Sequence, residues 1–154
     1  MTAKRYLERI EDLWSVYEMA AEKERKMREQ IYAFPAIRYD KEHIDHSVED
    51  MMSENLARLA DYGVEVNQKL TAYMMAVDDL QKLLEKIKNP NHRLIIWYRY
   101  VNEYPIKVIA DKMALSVSWI KHMYVDAFRA MEEMPELKDN TKKNQKAPQS
   151  TNGV

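Results

Sequence analysis

Side chains that could bond a polyanion are concentrated near residue 120. Lys121 can reach a phosphate or a guanine, His122 can bond a base edge or a phosphate, and Val117 can offer apolar contact to a thymine methyl group. Together these are contacts that a helix makes in the major groove of duplex DNA. The predicted DNA-binding residues are Ser116, Val117, Ser118, Trp119, Lys121, His122, Val125, Lys107 and Arg129.

A pair of histidines earlier in the chain is the other candidate for a chemical role. His43 and His46 have the spacing of two metal ligands on one helical face, and acidic residues surround them. Without a cysteine or a further ligand, a solvated acidic segment is the better interpretation, so no metal site is predicted.

The sequence has no signature of catalysis. Its two glycines form no phosphate-binding loop, and no Ser-His-Asp set can be argued from sequence order. We therefore expect a protein that is not an enzyme and that uses neither a cofactor nor a small-molecule substrate.

The net charge of −1 is unevenly distributed along the chain. Residues 1–88 contain 14 Lys/Arg and 18 Asp/Glu, a net charge of −4, whereas residues 91–131 contain 6 Lys/Arg and 3 Asp/Glu, a net charge of +3. Binding to a polyanion would need the positive charge in this C-terminal part. A solvated helical surface could show the same mild asymmetry, so charge alone does not decide between the two interpretations.

The elements that would position these residues are helices. Only 2 glycines and 5 prolines occur in 154 residues, which leaves few turn signals, so the predicted fold class is all-α. The N-terminus lacks the apolar core of a signal peptide, and no stretch approaches membrane-spanning length. Together with the absence of cysteine, these features predict a cytoplasmic protein that does not contact a membrane.

Residues 1–89 are predicted to form a long helical hairpin. Residues 2–34 form one amphipathic helix, residues 35–47 form the loop, and a second helix begins near Ser47. In the second helix, apolar residues recur at the heptad spacing of a coiled coil. We call these positions the seam: Met52, Leu56, Leu59, Gly63, Val66, Leu70, Tyr73, Val77, Leu80, Leu84 and Ile87.

The length and composition of the seam predict self-association. A helix of this length would extend roughly 60 Å, too far to be buried in one small globule. Glu24 interrupts the apolar stripe of the first helix, so we expect the protein to be at least dimeric. Gly63 costs about 1 kcal/mol relative to alanine in a helix interior, which predicts a close helix crossing there.

Residues 90–134 are predicted to form a separate module of three helices, at 91–101, 105–113 and 117–134. Pro90 disfavours helical geometry at Asn89 and suits the first turn of the next helix. The predicted core residues are Leu94, Trp97, Tyr98, Val101, Val108, Ile109, Met113, Ile120, Met123, Ala127, Phe128 and Met131. Residues 135–154 lack periodicity, which predicts a disordered tail.

The turn between the last two helices has the pattern of a helix-turn-helix. Ala114-Leu115-Ser116 supplies a short turn, an apolar plug and a capping hydroxyl, and Ala110 is small where the two helices approach. The last helix would project its first turns into a major groove. Trp119 is expected to lie half in the core and half at the DNA backbone, and burial is the safer interpretation. A plain three-helix bundle with a solvated face is the alternative.

Segment 109–123 resembles region 4 of sigma-70-type factors. Its sequence is Ile-Ala-Asp-Lys-Met-Ala-Leu-Ser-Val-Ser-Trp-Ile-Lys-His-Met. As in that family, an apolar and a small residue precede the turn, a hydroxyl caps the recognition helix, and apolar residues recur at Ile120 and Met123. Val117-Ser118 stands where sigma factors carry an Arg-Glu pair, so the same promoter sequence is not expected.

The opening Met-Thr-Ala-Lys, the hairpin and Trp119 resemble small phage and prophage proteins, the late-gene transcriptional regulators of the RinA/ArpU type. The resemblance implies a bacteriophage-type regulator in the cytoplasm of a bacterial host. It would bind double-stranded DNA and use the hairpin to form a homo-oligomer or to contact RNA polymerase.

Two other functions fit the same pattern. A small terminase-like subunit, which recognises DNA for packaging, also joins a helix-turn-helix to an oligomerising segment. A coiled-coil adaptor would bind proteins through the hairpin and have no DNA contacts. Ring-shaped oligomers would favour the first function, and the absence of salt-sensitive DNA binding would favour the second.

Overall fold

The protein is built from α-helices. The structure, a computed structural model, describes residues 1–33 and 46–138, and these ranges contain no strand. The helices are α1 (Ala3–Ala33), α2 (His46–Glu85), α3 (Pro90–Tyr100), α4 (Ile106–Met113) and α5 (Val117–Glu132), and residues 135–138 add a further helical turn. The predicted all-α fold class is confirmed. The predicted loop at 35–47, with His43, lies almost wholly outside the described residues.

The chain forms two compact units, whose boundaries fall within α1 and α2. The core unit comprises Met1–Glu11 and Ala76–Val154, and the hairpin unit comprises Asp12–Met75. The core unit thus contains more of the chain than the predicted 90–134 module, because the start of α1 and the end of α2 belong to it.

The boundary between α2 and α3 is set by local sequence. Asn89 has an extended backbone, with φ −81° and ψ 115°, and Pro90 begins α3. The side-chain oxygen of Asn89 accepts a hydrogen bond from the amide of Asn91 at 3.0 Å. This bond satisfies one of the amides that the first turn of a helix leaves unpaired. The helix predicted from residue 91 thus begins one residue earlier, with Pro90 in its first turn as the proline geometry indicated.

The core unit encloses an apolar cluster. Its largest fully buried side chains are Leu7, Leu80, Ile95, Ile96, Ile109, Ile120, Met131 and Leu137. The predicted core is wrong at Leu94 and Val108, which are exposed, and it omitted Ile95 and Ile96. The reason is that α3 packs against α4 and α5 and also meets α1, where Arg99 pairs with Glu11 at 3.5 Å. A helix covered on more than one side buries residues that a single apolar stripe does not include.

The first residues of α1 are bound to the C-terminal end of the core unit. The Ala3 amide donates to Glu132 Oε1 at 2.9 Å, and the Met1 nitrogen donates to the Leu137 carbonyl at 3.0 Å. Leu137 is buried within the turn at 135–138. The disordered tail predicted for 135–154 is therefore wrong for residues 135–138, because one leucine at helical spacing from Met134 packs into the core. Residues 139–154 lie outside the described ranges.

In the hairpin unit, α1 and α2 run antiparallel. The Trp14 and Tyr73 ring centroids are 4.9 Å apart, with a tilt of 55° between the planes. Farther along α1, the Lys23 ammonium pairs with Glu65 at 2.6 Å and lies 4.5 Å from the centroid of the Tyr62 ring. Most seam residues of this unit are only half-buried, and Leu56 is exposed. Two helices alone therefore cover the seam incompletely.

Gly63 has space around it. A Cβ atom built on this residue would meet no described atom within 4 Å beyond its own helical backbone and chain neighbours. The close helix crossing predicted at Gly63 is therefore not formed by the described part of the chain.

Candidate nucleic-acid interface

A left-handed residue ends α4 and redirects the chain toward α5. Ala114 has φ 54° and ψ 42°, and its amide donates to the Asp111 carbonyl at 3.2 Å. The next amide, of Leu115, donates to the Ala110 carbonyl at 3.0 Å. These two hydrogen bonds are those of a Schellman motif, which usually has glycine at the left-handed position. The short turn predicted after α4 is confirmed.

Ser116 caps the start of α5. Its backbone is extended, with φ −71° and ψ 151°, and its hydroxyl oxygen accepts a hydrogen bond from the Trp119 amide at 3.1 Å. The Ser116 carbonyl accepts from the Ile120 amide at 3.0 Å. The predicted capping hydroxyl is confirmed, and it aligns the first turn of α5 with respect to the turn from α4.

The inner face of α5 holds the helix on the core unit. Ile120 and Ala127 are completely buried, and Met123 and Met131 are nearly so. These residues recur at intervals of three and four, as one face of a helix requires. With this face buried, the opposite face of α5 must point to solvent.

Five predicted site residues share that solvent-facing side, which we call the outer face. They fall within an arc of about 100° at 3.6 residues per turn. All are exposed: Ser118, Lys121, His122, Val125 and Arg129. Val117, at the first position of α5, is half-buried, while Ser116 in the turn and Lys107 on α4 are exposed.

Trp119 lies at the edge of the outer face and is 56% exposed. Its ring centroid is 6.4 Å from that of His122, with a tilt of 52° between the planes. Burial, the safer interpretation for Trp119, is therefore wrong, whereas the exposed fraction agrees with an indole that is only partly covered. Its backbone amide donates to the Ser116 hydroxyl, and the next residue, Ile120, begins the buried face.

The charges of this surface differ in how far they are neutralised. Arg129 pairs with Asp126 at 3.8 Å, and both side chains are mostly exposed. Lys121 and Lys107 form no ion pair with any described residue, so their full charge is available to a ligand. Lys112, an exposed cation of α4 that the predicted set omitted, lies 4.9 Å from the Tyr104 ring. In the sequence, only the positive charge of Lys112 could have indicated that it belongs to this surface.

Tyr124 lies behind the outer face with its hydroxyl buried. This hydroxyl has no hydrogen-bond partner among the described residues, and the centroid of the Tyr124 ring lies 6.0 Å from that of Phe128, with a tilt of 43° between the planes. Burial raises the pKa of Tyr124 to about 12, although the charge of Arg99 acts in the opposite direction. The neutral phenol is therefore the form that the folded protein favours.

Neither a metal centre nor a membrane span is found in the part of the chain that the structure describes. No group of three or more His, Cys, Asp or Glu side chains there could hold a metal ion. No helix there is long and apolar enough to cross a membrane.

Comparisons with protein-family models, with curated proteins and with solved structures gave no significant match. The resemblance to region 4 of sigma-70-type factors therefore rests on the residues of this sequence alone.

Proposed function

We propose that the chain is a DNA-binding transcriptional regulator of phage type, not an enzyme, and that α5 is its recognition helix. The observation that carries the proposal is the outer face of α5. A capped helix, fixed by four buried residues on one side, presents hydroxyl, ammonium, imidazole and guanidinium groups on the other. These groups match the hydrogen-bonding edges and phosphates of a major groove.

The charge of the helix-turn-helix supports this proposal. Lys107 on α4 and Lys121 on α5 are exposed and unneutralised, which suits contacts with the phosphate backbone on either side of a groove. The Arg129–Asp126 pair lies farther along α5, so the carboxylate stands away from the first turn of the helix. The residues of α5 before Asp126 would therefore make the base contacts, as the N-terminal part of the recognition helix does in other helix-turn-helix proteins.

The hairpin unit would serve self-association. Met19, Val64 and Met75 expose 74%, 58% and 62% of their surface, and the seam beside them is only partly covered. Val64 and Met75 fall on one side of α2, and exposed apolar residues that share a surface mark interaction sites more often than scattered ones do. A second copy of the chain would cover them and place two recognition helices on one duplex.

A protein-interaction adaptor is the second candidate function. The same exposed methionines and valine of the hairpin unit favour it, because they would serve a heterologous partner equally well. The two candidates differ in one measurable property, since only the regulator needs salt-sensitive binding to DNA.

The test is a salt titration of DNA affinity on duplexes selected from a random-sequence pool. Lys121→Ala combined with His122→Ala should weaken binding by about 1–3 kcal/mol per lost contact and lower the salt slope by about one for a lost phosphate contact. Both residues are exposed, so the melting temperature should stay nearly unchanged.

Lys82→Ala is the matched control, because Lys82 is an exposed lysine of α2 outside the helix-turn-helix. It should retain the affinity and the salt slope of the unmodified protein. Equal affinity for the folded double variant and the control would remove α5 from the DNA interface and favour the adaptor.

A further inference from the structure

The outer face of α5 has an apolar residue near its centre. Val125 is 56% exposed, and around the helix it lies between Lys121 on one side and Arg129 and His122 on the other. Every other member of the outer face can donate a hydrogen bond or carry a charge. Val125 can do neither, so any contribution it makes to binding must come from apolar contact.

Duplex DNA offers one prominent apolar group to such a residue. In the major groove, base edges present hydrogen-bond donors and acceptors, and thymine adds its C5-methyl group. Val117, the residue first expected to contact such a methyl, is half-buried at the start of α5, whereas Val125 is free to do so. Val125 also follows Ser118 by two turns, about 10 Å at 1.5 Å per residue, which keeps both within the reach of one groove.

We propose that Val125 is a specificity-determining residue that contacts thymine C5-methyl groups, so that the target duplex carries thymine opposite the second and third turns of α5. This inference rests on the proposed function. The charge of the surroundings selects DNA as the occupant, because Lys121 and Lys107 are exposed without an ion pair to any described residue and complement a polyanion.

Trp119 extends the apolar contact at the edge of the face. Its exposed indole stands beside the His122 ring, so a base step that approaches His122 also meets the indole. Polar contacts by His122 and Lys121 would orient the helix, and the apolar contacts by Val125 and Trp119 would distinguish thymine from cytosine at the adjacent positions.

The experiment replaces thymine by uracil in a duplex selected for binding to the full chain. Uracil keeps every hydrogen-bonding group of thymine and lacks only the methyl group. At the positions that Val125 contacts, the affinity for DNA should fall about fourfold for each methyl group removed, because one fewer carbon is buried in the complex. Replacing the contacted thymine–adenine pair by a cytosine–guanine pair should weaken binding. Replacing that cytosine by 5-methylcytosine should then raise the affinity again by about the same factor.

Two variants assign the effect to a residue. Val125→Ala should bind the thymine and uracil duplexes with equal affinity, and its exposed position should leave the melting temperature unchanged. Val16→Ala is the matched control, since Val16 is an exposed valine of α1 that belongs neither to the helix-turn-helix nor to the residues assigned to self-association, and it should keep the full uracil penalty. A double-mutant cycle that combines Val125→Ala with the change from thymine to uracil separates the loss of the methyl contact from any effect of uracil on duplex shape.

Three results would overturn this inference. If the unmodified protein binds both duplexes equally, no methyl is read, although the proposed function stands. If Val125→Ala keeps the uracil penalty, a different residue reads the methyl. If the unmodified protein binds no DNA at any salt concentration, the proposed function fails as well, which is a distinct outcome.

Discussion

Tyr124 shows how a single residue couples burial to protonation. Its hydroxyl is buried without a hydrogen-bond partner among the described residues, and its pKa is raised to about 12 chiefly because burial disfavours the charged phenolate. A buried hydroxyl without a partner lowers stability because it has lost its hydrogen bonds to water, whereas the ring of Tyr124 lies near Phe128 and stabilises the core unit through apolar contact.

We predict that stability falls from pH 10 to pH 12 in a way that depends on Tyr124. An unfolded tyrosine has a pKa of about 10, below the folded value of about 12. The contribution of Tyr124 is therefore fully present below pH 10 and is lost as the pH rises through the folded pKa. Tyr124→Phe removes the titrating hydroxyl, so the free energy of unfolding of this variant should change less between pH 10 and pH 12. Parallel pH profiles for the two proteins would contradict the prediction.

Val125 and Trp119 illustrate how residue type alone leaves the role of a side chain open. A valine or tryptophan in an amphipathic helix could complete the core or face a ligand. The sequence placed both among the site residues, but it expected Trp119 to be partly buried. The position of the inner face, from Ile120 to Met131, leaves both residues exposed.

At the scale of elements, the turn between α4 and α5 combines a favourable cap with an unfavourable backbone conformation. Ser116 stabilises the start of α5 by accepting the Trp119 amide. Ala114, by contrast, has a positive φ of 54°, a region in which a Cβ atom is crowded and glycine is preferred. The hydrogen bonds from Ala114 and Leu115 to α4 hold the residue there.

We predict that Ala114→Gly raises the free energy of unfolding by roughly 0.5–1 kcal/mol, because relief of the strained backbone exceeds the added entropy of the unfolded chain. Urea denaturation of both proteins measures the change. Ala130→Gly serves as the control, since Ala130 lies within α5 and glycine there should lower stability by about 1 kcal/mol. A loss of stability on Ala114→Gly would show that the left-handed conformation carries no strain.

At the scale of the whole molecule, the two compact units differ in how completely they bury their apolar residues. Among the described residues, the largest fully buried side chains all lie in the core unit; Leu7 is the first of them along the chain and Leu137 the last. The hairpin unit buries Ala20 and Ile31, whereas Met19, Val64 and Met75 are exposed. Because an isolated pair of helices has few contacts on its outer sides, association with a second chain would supply the missing burial.

We predict that light scattering at micromolar concentration gives at least twice the chain mass of 18.4 kDa. Val64→Glu combined with Met75→Glu should shift the protein toward the monomer, because it places charge on exposed apolar positions of one side of α2. Arg58→Glu, at an exposed position on another side of α2, should leave the mass unchanged. A monomeric mass for the unmodified protein would disprove self-association through the hairpin unit.

The sequence by itself determined the features that depend on neighbouring residues. Proline geometry placed the start of α3 at Pro90, and a serine followed by an apolar helix predicted the cap at Ser116, because both effects act within one turn of the chain. Only the tertiary structure decided which side chains are buried. Ile95 became core because α3 meets several helices, Leu137 because the start of α1 packs beside it, and Trp119 became exposed because Ile120 faces the core. Burial depends on what covers a helix, and those partners lie far away in the sequence.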